Sequence, residues 1–328
     1  MDDFATGPDG LIRTADFIRA GRNDRELRRA ATAGELVTVI PGVFVRADRW
    51  QAATGPDRHV LRAMAFAPRL DERAVFSHTT ATALHGWGSL GPPPDLLDVS
   101  DPDLSKSRRL ASARLHVARL SGADLGVVEG LPVTSPARTA VDMVVSQGFR
   151  AAVVALDSAL HVEVESRDPR RRRPLTASLL TLDDFDAALG RRLPVRGHKH
   201  VQRVRAFANG LAASGGESLS RIVMHERGWP APTLQQPFFV GREHIGDVDF
   251  WWEEFGVIGE FDGFVKYSRQ EHLGGMSPAD AAVKEKRRED LLRAHPAVRG
   301  FARWMWSDVM HPPRLDAILG RTGLWRSG

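Results

Sequence analysis

Residues 246–267 read GDVDFWWEEFGVIGEFDGFVKY, two short apolar runs laced with Asp247, Asp249, Glu260 and Asp262. Ionised carboxylates are rarely buried alone, because taking a charge out of water costs several kcal/mol or more. The stretch therefore forms either a solvated sheet face or a set of acids held together by something cationic. In a strand, residues i and i+2 share a face. Asp247 and Asp249 then point together, as do Glu260 and Asp262, with Val248, Phe250, Ile258 and Phe261 turned to the core. If the two strands pair, Asp249 and Glu260 converge, and Glu217 can reach them from the helix expected over ESLSRIVMHERG. Carboxylates meeting at one point repel unless a divalent cation neutralises them, and oxygen-only ligands favour Mg²⁺ or Mn²⁺ over zinc. Such an ion activates water and stabilises charge on a scissile phosphate. Lys266, just past Gly263, is placed to orient that water or offset the developing charge.

A chain of 328 residues suggests about two to three domains. No apolar run approaches the ~18–20 residues that span a bilayer, so no membrane segment is expected, and the N-terminus MDDFATGPDG is too acidic and polar for a signal peptide. Cysteine is absent, which excludes disulfides, thiolate catalysis and cysteine zinc sites, and a cytoplasmic location is expected. Only five of the 45 basic residues are lysine, and three of those, Lys266, Lys284 and Lys286, directly follow the acidic stretch. The arginine excess itself reads as genome composition.

The N-terminal segment has a compact rhythm. Thr14 is a candidate N-cap for a helix over ADFIRA that stops at Gly21, and Asn23 or Asp24 for a second over RELRRAATA that ends at Gly34. Two β-prone runs, LVTVI and VFVRA, follow around Pro41-Gly42. Helix, turn, helix, hairpin is the order of a winged helix-turn-helix. In the second helix Leu27, Ala30 and Ala31 form an apolar stripe, while Arg25, Arg28, Arg29 and Thr32 fall at i, i+3, i+4, i+7 on another face. An apolar back and a basic front suit major-groove docking, with Arg46 at the end of the wing.

Residues 57–195 alternate helical and strand-like runs, as in a small α/β domain. LLDVS, LHVARL and VVEGLPVTS read as short strands. His78 and His85 share a helix face in SHTTATALHGW, but no third ligand lies at zinc spacing, so both read as structural. Arg170 to Arg173 form a like-charge block of the kind found in solvated loops. After the flexible Ser-Gly-Gly at 214–216 come the helix with Glu217, three strands, a long charged helix over AAVKEKRREDLLRAH, and a last strand over FARWMWSDV.

These residues carry a resemblance. Residues 217–308 resemble the very-short-patch-repair-like branch of the PD-(D/E)XK nuclease superfamily: Glu217, the Asp249-Phe250 strand, the Glu260-x-Asp262-Gly263 strand, the helix with Lys286, Arg287 and Arg288, and Arg303-x-x-Trp306-x-Asp308-Val309. The whole chain is similar to an actinobacterial architecture that places such a domain behind an AbiEi-type antitoxin winged helix. The resemblance implies a multi-domain α+β protein: a winged helix-turn-helix over 1–55, an α/β middle domain over 56–200, and an α/β/α nuclease-like domain with a central mixed sheet over 201–328. It also implies metal-dependent phosphodiester hydrolysis, with Glu217, Asp249, Glu260 and Asp262 around Mg²⁺ or Mn²⁺ and Lys266 as electrostatic stabiliser. Duplex DNA would be held by Arg25, Arg28, Arg29, Thr32 and Arg46, and by Lys284, Lys286 and Arg287. One departure stands out, because the superfamily pattern ends acid-x-Lys and Asp262 occupies the lysine position here. The alternative is an AbiEi-type antitoxin and transcriptional repressor with a cognate toxin and an idle nuclease-like domain. A homodimer is compatible with either.

Overall fold

The computed structural model describes Phe4 and residues 6–161, 180–263 and 277–326. Lys266 and the Arg170–Arg173 block lie outside the described residues. The chain divides into two compact units, residues 1–155 with 180–202 and residues 156–179 with 203–328. The fold is α+β, with three sheets among the described residues, two of them mixed.

The first unit opens with β1 (Ile12–Arg13), α1 (Thr14–Arg19), α2 (Asp24–Thr32), β2 (Leu36–Ile40) and β3 (Val43–Arg46). Asn23 caps α2 in a reciprocal box with Glu26, satisfying helix-end N–H groups that otherwise lack partners. Thr14 does not cap α1. It is the helix's first residue, and its N–H donates to the Gly42 carbonyl at 3.0 Å. Gly42 takes φ +81°, a conformation that side chains disfavour, and so turns the hairpin. Leu27 and Ala30 bury against Ile12, Phe17, Leu36 and Phe44, as the helical spacing requires. The short β1, unmarked in the sequence, joins the hairpin to give the order β1-β3-β2.

Beyond it lie α3 (Ala47–Ala52), α4 (Gly55–Phe66), β4 (Val75–Phe76), α5 (His78–Leu84), β5 (Leu97–Asp101), β6 (Arg108–Arg109), β7 (Ala113–Val117), β8 (Leu125–Val128), β9 (Leu131–Thr134) and α6 (Pro136–Ser146). Helices α7 (Phe149–Leu160), α8 (Leu182–Arg192) and α9 (His198–Phe207) follow. The sheet order is β6-β7-β5-β4-β9-β8. One core joins Val39, Ile40, Val43 and Val45 of the hairpin to Phe76, Leu97, Val99 and Val133 of this sheet. The run VVEGLPVTS is a hairpin rather than one strand, because Glu129 and Gly130 both adopt positive φ, +50° and +78°, and reverse the chain.

The second unit contains α10 (Gly215–Glu226), β10 (Thr233–Val240), β11 (Glu243–Trp252), β12 (Val257–Asp262), α11 (Pro278–Arg293), β13 (Gly300–Met305), α12 (Trp306–Val309) and α13 (Pro312–Gly320). The sheet runs β10-β11-β12-β13, with the first three strands antiparallel and β13 parallel to β12. On one face Phe261 lies where a side chain at Gly216 of α10 would have to go, and the Trp304 indole donates to the Ser220 hydroxyl at 2.9 Å. On the other, Leu292 of α11 packs with Trp251 and Ile258. Ile258 thus shares the face of Glu260, opposite Phe261. The final strand stops at Met305, short of the run FARWMWSDV, because the Asp308 carboxylate accepts the Met305 N–H at 3.0 Å and starts α12. No helix among the described residues is long and apolar enough to cross a membrane.

Candidate active site

Strands β11 and β12 pair with Phe250 opposite Gly259, so extending that register by one residue sets Asp249 against Glu260. The Phe261 N–H donates to Asp249 Oδ2 at 2.8 Å, which fixes the carboxylate across the two strands. The side-chain amide of Gln235 lies 3.4 Å from Asp249 Oδ1 and donates to Glu217 Oε2 at 3.2 Å. Gln235 has φ +49°, and its neighbours Leu234 and Gln236 pair with Phe250 and Val248. A left-handed residue inside a strand costs roughly 1–2 kcal/mol, and here that strain accompanies an amide spanning two carboxylates. No sequence signal marked Gln235.

Glu217 is almost fully buried, but its carboxylate turns back on its own helix end. It accepts from the Ala213 N–H and the Ser214 hydroxyl, each at 2.8 Å, and connects to Asp249 through Gln235. Glu260 faces α11. Arg288 forks onto it, Nη2 to Oε1 at 2.8 Å and Nη1 to Oε2 at 3.3 Å, and also donates to the Asp247 carbonyl at 2.8 Å. Arg303, opposite Glu260 on β13, reaches Glu260, Glu285 and Glu289 at 3.5, 3.2 and 3.1 Å. Burial raises the Glu260 pKa and Arg288 pulls it back, while Asp249 and Glu285 add to the rise. Burial disfavours the Arg288 cation too, but Glu260, Glu285 and Asp249 hold its pKa above the ordinary guanidinium value.

Gln235, Asp249, Glu260, Arg288 and Arg303 line a cavity of about 380 Å³, and Glu217 does not. Among the described residues, five carboxylates line the cavity, Asp247, Asp249, Glu260, Asp262 and Glu285, against two guanidiniums, Arg288 and Arg303, an excess of three acidic over basic side chains. The acidic side chains offer only oxygen donors, the ligand type that Mg²⁺ and Mn²⁺ take. The convergence is incomplete. Among the described residues no three His, Asp or Glu side chains close on one point, because Arg288 occupies both Glu260 oxygens and Glu217 is spent on its cap and Gln235.

The expected DNA contacts lie on surfaces. Arg25, Arg28, Arg29 and Thr32 are exposed on α2, and Arg46 is exposed at the hairpin end. Arg28 pairs with Asp24 one turn earlier, whereas Arg25 and Arg29 make no salt bridge among the described residues. Lys284, Lys286 and Arg287 are exposed on α11. His78 and His85 turn to different partners, the Ser77 hydroxyl at 2.9 Å and the Thr134 carbonyl at 2.9 Å, and share no ligand position.

No family model matches the chain. It is similar to two curated relatives from Mycobacterium tuberculosis: uncharacterized protein MT2308 of strain CDC 1551 / Oshkosh and uncharacterized protein Rv2248 of strain ATCC 25618 / H37Rv. Each is 29% identical over 229 residues, spanning 70% of this chain and 74% of the relative. Among solved structures, the crystal structure of the RV2827C protein of Mycobacterium tuberculosis aligns with 60% of this chain and 70% of its own, at 14% identity and a TM-score of 0.37.

Proposed function

We propose that this protein binds duplex DNA and that its second unit is a metal-dependent phosphodiester hydrolase of the PD-(D/E)XK kind. One observation carries the reading: among the described residues, the cavity where β11 meets β12 has three more negative than positive side chains. A phosphodiester is repelled by such a lining. A scaffold that merely bound DNA would have little use for it, whereas a hydrolase that takes up a divalent cation needs it. Mixed-sheet topology with α10 and α11 on opposite faces supports the same reading, as does the helix–turn–helix–hairpin order with a basic, exposed α2.

Asp249 and Asp262 would hold the ion, joined by Glu260 once Arg288 releases it. When bound, the ion supplies Lewis-acid charge to the phosphate. The chain's own residues do the rest. The Phe261 N–H and Gln235 keep Asp249 in one orientation, which lowers the reorganisation needed when charge develops. Arg288 enters from α11 beside Glu260 and supplies a cation next to the acid pair, in place of the lysine that Asp262 displaces from the superfamily pattern. Arg303 adds a second positive charge from β13.

The repressor reading has one observation in its favour, the two-pronged hold of Arg288 on Glu260, which as it stands keeps a metal ligand occupied. Incubating the full chain with supercoiled plasmid separates the two. The hydrolase nicks it with Mg²⁺ or Mn²⁺ and stops with EDTA. Absence of metal-dependent cleavage on duplex, single-stranded and RNA substrates would leave an AbiEi-type DNA-binding regulator as the better account.

A further inference from the structure

The segment SHTTATALHGW belongs to neither of these sites, yet it borders a second cavity of about 330 Å³ inside the first unit. Trp87, Pro92 and Ala151 are among its apolar lining residues, and Thr79, Gln147 and Arg114 among its polar ones. Arg114 is the one charged residue on its lining among the described residues.

Arg114 is set in place from behind. Asp98, 1% exposed, sits directly opposite it in the β5–β7 ladder and holds the guanidinium with Oδ1 3.0 Å from Nε and Oδ2 3.1 Å from Nη2. Thr79 donates to the same carboxylate, and His116 Nε2 lies 2.8 Å from it. Burial works against the Asp98 charge, but His116, Thr79 and Arg114 outweigh it and hold the pKa below the usual value. His78 stacks on His116 with ring centres 4.2 Å apart and takes a left-handed φ of +48°. Strained backbone and a buried, fully engaged carboxylate are features that a well-supported binding group shows. The outcome is a guanidinium that donates one hydrogen bond to Asp98, from Nη2, while Nε lies within ion-pair distance of Oδ1 without a hydrogen bond and Nη1 has no partner among the described residues.

We infer that this cavity binds a small organic carboxylate with an apolar body. Arg114 Nη1 donates a charge-assisted hydrogen bond to the carboxylate, and the body lies against Trp87 and Pro92. The volume is at the low end for small-molecule sites, which limits the ligand to roughly the size of a substituted benzoate. Asp98 already offsets the Arg114 charge, so the apolar contacts have to supply much of the affinity.

Benzoate is the probe. Titrated into the ¹⁵N-labelled full chain, it shifts the Trp87 indole resonance saturably, that resonance being assigned by its loss in Trp87→Phe. Benzamide, its neutral isostere, binds at least tenfold more weakly. Arg114→Met weakens benzoate at least tenfold, and Ala83→Leu, which fills the cavity from α5 without touching Asp98, does the same if the arginine variant fails to fold. The inference is overturned by the absence of a saturable shift, by equal binding of benzamide, or by unchanged benzoate binding in Ala83→Leu.

Discussion

The α2 face in the first unit and the acidic cavity in the second use arginine in opposite ways. On α2, Arg25, Arg28 and Arg29 are exposed and make at most a local pair such as Arg28–Asp24. Exposed pairs of this kind are worth little, so a phosphate can take the guanidinium over at small cost. In the cavity, Arg288 and Arg303 are each shared among several acceptors, and Glu260 is largely buried beneath them. Removing one partner from such a buried pair costs about 3–5 kcal/mol. The first arrangement suits reversible capture of a polyanion. The second holds a carboxylate in place.

The hardest test of that contrast is Asp249→Asn. It should reduce plasmid cleavage on the order of 10²-fold or more, the usual cost of losing one transition-state group, and abolish Mn²⁺ binding by calorimetry while leaving DNA affinity near that of the parent. Cleavage unchanged in this variant would take the cavity out of the chemistry. On the opposite side, Arg25, Arg28 and Arg29 changed together to alanine should weaken duplex binding and flatten the log–log salt dependence by about 0.9 for each phosphate no longer neutralised. An unaltered slope in the folded triple variant would move the interface elsewhere.

Arg288→Met sharpens the comparison, since it removes the competitor for Glu260. Mn²⁺ affinity should rise by about tenfold, the equivalent of 1.4 kcal/mol, while metal-free stability falls. If the parent binds Mn²⁺ equally well, the arginine does not hold the site; if neither protein binds it, the metal reading itself fails.

A smaller effect separates the units by pH. Burial lowers the His59 pKa to about 4 in the first unit and raises that of Asp157 to about 6 in the second, where Arg221 partly offsets it. For His59 the unfolded chain binds more protons between pH 4 and 6.5, so its contribution to stability grows as pH rises through that window. For Asp157 the folded chain binds more protons between pH 3.8 and about 6, so its contribution shrinks as pH rises. Hydrogen exchange, corrected for intrinsic rates, should show α4 losing protection on acidification from pH 6.5 to 4 while α10 holds or gains. Parallel losses in both would mean that another group governs α10.

Much of this was legible in short-range pattern. The apolar stripe of Leu27 and Ala30 follows from helical spacing, and the approach of Asp249 and Glu260 follows from strand alternation once the strands pair. The VVEGLPVTS hairpin was missed because Glu129 is an uncommon residue for the left-handed conformation that the turn demands. The end of the last strand was missed because Asp308 reads equally well as part of the strand or as a cap.

By itself the sequence determined which residues could meet: two acids per strand face, a basic front on a helix with an apolar back, and a lysine cluster after the acidic stretch. Local periodicity and turn chemistry suffice for that. Only the tertiary structure decided what those acids are held by. Arg288 and Arg303 reach Glu260 from 28 and 43 residues away, and Gln235 joins Glu217 to Asp249 from a third strand. Charge pairing inside a cavity depends on which elements pack over it and how much water they exclude, and neither quantity is carried by spacing along the chain.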